Sequence, residues 1–372
     1  MKRLSVREKI IYRFIFNEER VYKHWYSRFL VCGVNLDRVR RVVRRIKSFY
    51  HWCSEWSKEG QTLESLGEES LSGGNTYSAR YIFHEAAGCF HIGQHIYFID
   101  IEQKNNAQKR ARENYQRAIA LYGERLRPVK IEIPFGETVI PGYLRVAGLP
   151  KRPLVIQING LDNIKEVENH WLGDLFLDAG LNSFAFDGPG QGEMWEDVKL
   201  LPDYERVVTA VIDWFERNND YELDLTRIAT YGMSFGGYLS PRAAAFDRRI
   251  RCAVGNGGPG YLPKPSRLGR INPIWIRDLL HVMGFESIEE AGAVWELVDI
   301  RKAPPLDRPL LFFQGGRDRI IPNPKEHADY IMDWAVGEKE LQYYPTGEHC
   351  CANFLDEVIP YAVDWLTKHL QQ

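Results

Sequence analysis

The sequence predicts an α/β protein: a mostly parallel sheet with helices on both faces, a helical cap inserted late in the chain, and a helical domain in front. Three observations carry this. Residues 1–128 keep their apolar residues at helical spacing, residues 129–372 alternate short apolar runs with helical stretches, and 258–305 interrupts that alternation without a strand. At 372 residues the chain has room for two such domains.

In the first domain, Val21, Trp25, Phe29 and Leu30 share one helix face. Val39, Val42, Val43, Ile46 and Phe49 form a second face, which puts the arginines between Asp37 and Lys47 on the opposite side. That basic surface reads as solvated or domain-facing, because no nucleic-acid recognition motif accompanies it. Ala79, Phe83, Ala86, Ala87 and Phe90 form a third face, and Ala107, Ala111, Tyr115, Ala118 and Leu121 a fourth. The run Ser72-Gly-Gly-Asn-Thr76 breaks the pattern, with Asn75 or Thr76 as the expected N-cap. No period of 20–50 residues recurs, so a bundle of four to six helices is expected rather than a solenoid.

After Pro128 the alternating Val129, Ile131 and Ile133, then Phe135-Gly136, then Ile140–Val146 predict a β-hairpin. Buried-type strands follow at Leu154–Ile158, Ser183–Phe186, Ile228–Tyr231, Cys252–Gly255, Leu310–Phe313 and Leu341–Tyr344. Helices are expected near 164–179, 203–217, 235–246, 323–335 and 353–370. Strands that alternate with helices in this way require parallel pairing with both sheet faces covered.

Composition narrows the function. Hydrophobic residues make up 44% and charged residues 26%, as in ordinary globular domains. No apolar run approaches the roughly 18–20 residues that cross a bilayer, and charges interrupt the first twenty residues every few positions. Six scattered cysteines do not make a disulfide scaffold. The expectation is a soluble, reduced, cytoplasmic protein with no membrane or nucleic-acid partner. The net charge of −2 conceals an asymmetry: residues 1–128 hold 23 basic and 14 acidic side chains, and the remainder 25 and 36. Two domains or two subunits that attract one another would account for it.

The chemistry centres on Gly232-Met-Ser-Phe-Gly236, which fits the G-x-S-x-G pattern with a strand before it and a small-residue helix after it. Such a turn lifts the Ser234 hydroxyl above the sheet, and the helix N-terminus behind it offers N–H groups to a developing oxyanion. A serine hydroxyl needs a base and an orienting acid. Asp318, in the loop after strand 310–313, and His349, in the loop after strand 341–344, occupy the expected places. The loop Asn159-Gly160-Leu161-Asp162 is expected to supply a second oxyanion donor, the Leu161 N–H, beside that of Phe235. The glycine-rich loop Asp187–Gly192 lies on the same rim and has neither the spacing nor the lysine of a phosphate loop. His84, His91 and His95 could share a helix face, but no thiol or carboxylate obviously completes a metal set, so no metal is expected. Cys350 and Cys351 read as packing residues beneath the histidine loop.

With these motifs in place, the chain resembles the α/β-hydrolase superfamily across about residues 129–372. More narrowly, it is similar to the branch that holds fermentation-respiration switch proteins, bacterial 2,6-dihydroxypseudooxynicotine hydrolases and fungal polyketide-shortening hydrolases. The narrower likeness rests on the helical N-terminal domain, on Gly160-Leu161 followed by Lys165-Glu166, and on Gly347-Glu-His-Cys-Cys-Ala-Asn353. It implies a serine hydrolase without metal or organic cofactor, acting on acyl substrates by ester hydrolysis or by cleavage of a C–C bond next to a carbonyl. A homodimer through the helical domain is implied by the same resemblance. The elbow is also similar to that of acylaminoacyl- and dipeptidyl-peptidases, whose preceding β-propeller has no counterpart in these 128 helical residues.

The leading expectation is therefore attack by Ser234 on a substrate carbonyl, giving an acyl-enzyme that His349 helps water resolve. Tyr261, Trp275, Met283 and Phe285 in the cap, with Trp295, are expected to line a pocket for an aromatic or apolar small-molecule acyl group, a core role for some of them being the alternative. Two alternatives stand beside it: transfer of the acyl group to another nucleophile or cyclisation, and a non-catalytic regulatory protein on the same fold.

Overall fold

The β-branched and aromatic runs after Pro128 assemble into one sheet of eight strands. They are β1 (Val129–Phe135), β2 (Thr138–Arg145), β3 (Pro153–Ile158), β4 (Asn182–Phe186), β5 (Asp224–Met233), β6 (Ile250–Asn256), β7 (Leu310–Gly315) and β8 (Lys339–Tyr344). The computed structural model describes residues 9, 10, 13, 25–262 and 273–371. The strand order is β1-β2-β4-β3-β5-β6-β7-β8. β1 and β2 form the antiparallel hairpin, β2 runs antiparallel to β4, and the pairs from β4 through β8 are parallel. Every residue of β3, β4 and β7 is buried, as expected of strands covered on both faces, whereas β8 at the sheet edge is half-exposed.

The described residues form two compact units, one from the chain up to Arg127 with Glu166–Trp171, the other from Pro128–Lys165 with Leu172 onward. The first contains α1 (Tyr26–Val31), α2 (Leu36–Arg45), α3 (Trp52–Ser72), α4 (Thr76–Gln94) and α5 (Ile101–Ala120). Two glycines explain how closely α3 and α4 pack. A Cβ on Gly60 would lie 2.8 Å from the Phe90 ring, and one on Gly67 2.5 Å from the Phe83 ring. Glycine within a helix costs roughly 1 kcal/mol, and burial of a phenylalanine ring against it offsets that cost.

The arginine face of α2 is turned to acidic partners. The Glu59 carboxylate, 8% exposed, accepts from Arg38 Nη1 at 2.7 Å and Arg45 Nη2 at 2.8 Å, with Arg41 3.7 Å away. Arg38 also reaches Glu85 and Arg45 reaches Glu55. Leu30 departs from the expected apolar face: it is exposed while Trp25 and Phe29 are buried. Val21 lies outside the described residues. α3 ends at Ser72 and α4 begins at Thr76; Asn75 holds the N-cap position without a side-chain capping bond.

In the sheet unit, α6 (Glu168–Asp178, shared with the first unit), α7 (Glu205–Arg217), α8 (Phe235–Phe246), α11 (Pro324–Trp334) and α12 (Leu355–Gln371) alternate with the strands. Among the described residues, the interval between β6 and β7 holds α9 (Pro273–Met283) and α10 (Ile288–Leu297). Among the described residues no helix is long and apolar enough to cross a membrane.

Candidate active site

Strand register assembles the site. Ile158 pairs with Gly232, so the loop after β3 begins beside the turn that carries Ser234. Gly315 pairs with Tyr344, which sets the loops after β7 and β8 side by side. All four loops leave the carboxyl ends of parallel strands, where ligands bind in open α/β sheets.

Ser234 links β5 to α8 in a conformation that side chains rarely adopt, φ 58° and ψ −125°, at a cost of about 1–3 kcal/mol. Its neighbours hold it there. The Ser234 N–H donates to Asn256 O at 2.8 Å, and the Gly237 N–H donates to Ser234 O at 2.8 Å. The flanking glycines are required by contact: a Cβ on Gly232 would sit 2.0 Å from Gly236 O, and one on Gly236 would sit 2.2 Å from Ile158 O.

His349 Nε2 lies 2.8 Å from Ser234 Oγ, and His349 Nδ1 lies 2.7 Å from Asp318 Oδ2. The other Asp318 oxygen accepts from the N–H groups of Ile320 and Ile321 at 2.8 and 3.0 Å. An ionised carboxylate only accepts, so the imidazole proton belongs on Nδ1, and Nε2 is left to accept from the Ser234 hydroxyl. The Asp318 side chain is fully buried and that of His349 is 13% exposed. Burial opposes a charge on His349, but the Asp318 carboxylate and the neighbouring Cys350 outweigh it and hold the imidazole above its usual pKa.

The loops come together through glycine. A Cβ on Gly315 would meet Glu348 O at 2.2 Å, and the Arg317 N–H donates to Gly347 O at 2.8 Å. Gln314, silent in the sequence, reaches Asp318 Oδ2 at 3.4 Å. Cys350 and Cys351 are buried free thiols, and both take left-handed backbone, φ 55° and 50°.

Gly160 packs directly on the nucleophile. A Cβ there would lie 3.2 Å from Ser234 Cβ and 3.7 Å from Oγ. Among the described residues the N–H groups of Leu161 and Phe235 donate to no protein acceptor, although both residues are buried. Backbone donors so placed are suited to a negative oxygen.

The candidate pocket residues lie in the interval between β6 and β7. Trp275 and Met283 belong to the buried core and Phe285 packs against it. The Tyr261 ring rests 4.4 Å from that of His327, and its hydroxyl donates to Glu326 at 2.6 Å.

The three helical histidines divide into two groups, each within the helical unit. The His84 ring lies 4.7 Å from that of His170, and Tyr122 Oη contacts both. His91 joins Cys32 and Glu168, whose ligand-type atoms lie within 4.8 Å of one another. The Arg28 guanidinium holds the same Glu168 oxygen and also reaches His95 at 2.6 Å. Arg28 is half-buried and Glu168 buried, so a cation entering this cluster would compete with the guanidinium for that oxygen. Burial would raise the Glu168 pKa, but Arg28 and His91 hold it well below the usual carboxylate range.

No family model matches the chain. It is 29% identical over 350 residues to the 2,6-dihydropseudooxynicotine hydrolase of Paenarthrobacter nicotinovorans, covering 92% of this chain and 90% of that protein. It is 30% identical over 270 residues to the 20-hydroxy-prefusarin hydrolase FUS2 of Gibberella moniliformis, covering 65% and 63% of the two chains. The α/β hydrolase gkaG of Penicillium citrinum is 30% identical over 238 residues, covering 60% and 55%. The chain thus spans less than two thirds of either fungal relative. The crystal structure of the 2,6-dihydroxy-pseudo-oxynicotine hydrolase superposes with a TM-score of 0.82 at 26% identity, covering 93% of this chain and 95% of that one. Helical front, strand order and relatives agree: the chain belongs to the α/β-hydrolase superfamily and is a hydrolase with a helical region ahead of its sheet.

Proposed function

We propose that the chain is a serine hydrolase that cleaves small acyl substrates through an acyl-enzyme on Ser234. One observation carries the reading: Ser234 Oγ, His349 and Asp318 are joined in sequence by hydrogen bonds of 2.8 and 2.7 Å. In this reading Ser234 Oγ bonds to the substrate carbonyl carbon while its proton passes to His349 Nε2. The carbonyl oxygen takes up the negative charge and accepts from the Leu161 and Phe235 N–H groups. Collapse breaks the bond to the leaving group, which takes the proton from His349. Water then repeats the sequence on the acyl-enzyme, and His349 returns the proton to Ser234.

The leaving group decides the reaction class. An alkoxide departs from an ester. From a 1,3-dicarbonyl substrate a carbanion departs as an enolate, which its own carbonyl stabilises. The likeness to the 2,6-dihydropseudooxynicotine hydrolase, extending over both chains almost end to end, supports the C–C cleavage reading. Turnover of an aryl 1,3-diketone and of p-nitrophenyl esters, each by wild type and Ser234→Ala, tests this. Loss of both activities in the variant and hydrolysis of the diketone by wild type are expected. Ester turnover alone would limit the protein to an esterase, and turnover by the variant would remove Ser234 from the reaction.

A further inference from the structure

The loop Asp187–Gly192 has no part in the reaction above, yet its geometry is tightly specified. We propose that Gln191 is a positioning residue that aims the Leu161 N–H at the substrate oxygen by fixing two successive peptide planes of the 159–161 loop. This rests on the reading that Ser234 is the nucleophile and Leu161 an oxyanion donor.

Gln191 Nε2 donates to Asn159 O at 2.9 Å and to Gly160 O at 2.8 Å. The peptide between Gly160 and Leu161 is planar and trans, as the structure contains no cis bonds among the described residues. Its carbonyl and its N–H therefore point in opposite directions. Holding Gly160 O toward Gln191 turns the Leu161 N–H to the opposite side of the loop, and holding Asn159 O fixes the preceding plane in the same way. Neither peptide can then rotate without breaking a buried hydrogen bond.

The clamp is itself held. Gln191 Oε1 accepts from Tyr204 Oη at 2.8 Å and from the Gly188 N–H at 3.2 Å, so the amide cannot flip without setting its donors against donors. Burial and the nearby Asp187 charge push the Tyr204 phenol well above its usual pKa, which keeps it a donor. A Cβ on Gly188 would lie 2.1 Å from Tyr204 Oη, and one on Gly192 would lie 2.0 Å from Asp187 Oδ2. Both glycines are where this network leaves no room. Asp187 extends the support: its Oδ1 accepts from Asn159 Nδ2 at 3.0 Å and from the Lys165 N–H at 2.9 Å. Its Oδ2 pairs with the fully buried Lys165 ammonium at 2.9 Å. Gln191 is 2% exposed and Tyr204 fully buried.

The test compares wild type with Gln191→Met, which keeps the volume and removes the donors, and with Gln191→Glu, which sets an oxygen against the two carbonyls. Active sites are counted by the end point of fluorophosphonate labelling. Per labelled site, kcat is expected to fall about 10- to 100-fold with KM changed by less than about threefold. The Ki of a trifluoromethyl ketone, whose adduct carries the oxyanion, is expected to rise by the same factor. The pH limb of the rate stays in place, because the contacts of His349 and Asp318 are untouched. If the Gln191 variants do not fold, Tyr204→Phe loosens the same amide and is expected to shift kcat and Ki together by a smaller factor. A folded variant with kcat per site within about twofold of wild type, or a fall in kcat without a matching rise in Ki, overturns the proposal. Ser234→Ala separates the two levels: if it is inactive while Gln191→Met matches wild type, only the positioning role fails, whereas an active Ser234→Ala removes the reading beneath it.

Discussion

Asp318→Asn is a clean perturbation because the structure dictates how the new side chain must sit. The oxygen that accepts from the Ile320 and Ile321 N–H groups has to remain an oxygen, so the amide nitrogen replaces the atom facing His349 Nδ1. That NH2 group can only donate. Nδ1 must then accept, the imidazole proton moves to Nε2, and the base points a hydrogen at Ser234 Oγ. A tautomer error of this kind costs about 10⁴ in kcat in serine proteases, and a loss of that order is expected here. The charge effect is separate. A carboxylate and an imidazolium with charges centred roughly 4 Å apart attract by about 4 kcal/mol at an effective dielectric constant near 20, a ceiling of ~3 pK units. His349 works as a base only when neutral. Its raised pKa therefore places the ascending limb of kcat/KM above about pH 6.5, and Asp318→Asn moves that limb to lower pH. Stability follows the same sign: the contribution of this pair is complete below about pH 6.5 and is lost as pH rises through the folded-state pKa of His349. The wild-type advantage in Tm should thus shrink on the alkaline side. The assay is kcat/KM for a p-nitrophenyl ester from pH 5 to 10, per fluorophosphonate-labelled site. A variant within about tenfold of wild type, with an unmoved limb, would refute the assigned role of Asp318.

Other perturbations separate packing from chemistry. Gly236→Ala places a Cβ 2.2 Å from Ile158 O and must push α8 from β3, so a loss of about 1–3 kcal/mol is expected in chemical denaturation. Gly160→Ala meets nothing closer than 3.2 Å, so its stability should change by less than about 1 kcal/mol. Its kcat/KM should nonetheless fall, because the methyl group intrudes 3.7 Å from Ser234 Oγ; equal losses of stability in the two variants would contradict this. Glu59→Gln should destabilise the protein by about 1–3 kcal/mol at neutral pH. Burial would raise the Glu59 pKa, but Arg45 and Arg38 lower it, so its contribution is present above about pH 4.5 and disappears as pH falls. Thermal unfolding curves that keep the same gap at pH 3 and pH 7 would exclude that origin.

What could be read from the sequence was local. Alternation, apolar runs and glycine turns lie within a few residues of one another, so the eight strands and their succession were legible. That Ser234, Asp318 and His349 would meet was legible because each follows a strand end in a fixed chain order. The rest depends on contacts between distant segments. Gln191 carries no signal beyond its place between two glycines, and its function arises only when the loop after β4 meets the loop after β3. The exposure of Leu30 was invisible because helical spacing fixes a face and not how much of that face is covered. Likewise, the sequence around His91 does not show that Arg28, Cys32 and Glu168 join it, since they lie well over 50 residues away. Aromatic content between residues 258 and 305 does not distinguish a pocket wall from core; Trp275 and Met283 are both buried.

Intact-mass spectrometry after fluorophosphonate treatment of wild type and Ser234→Ala tests directly whether Ser234 is an activated nucleophile. An activated Ser234 gives one adduct on wild type, located at Ser234, and none on the variant. No adduct on folded wild type, or an equal adduct on Ser234→Ala, would contradict an activated Ser234 and with it the proposed chemistry.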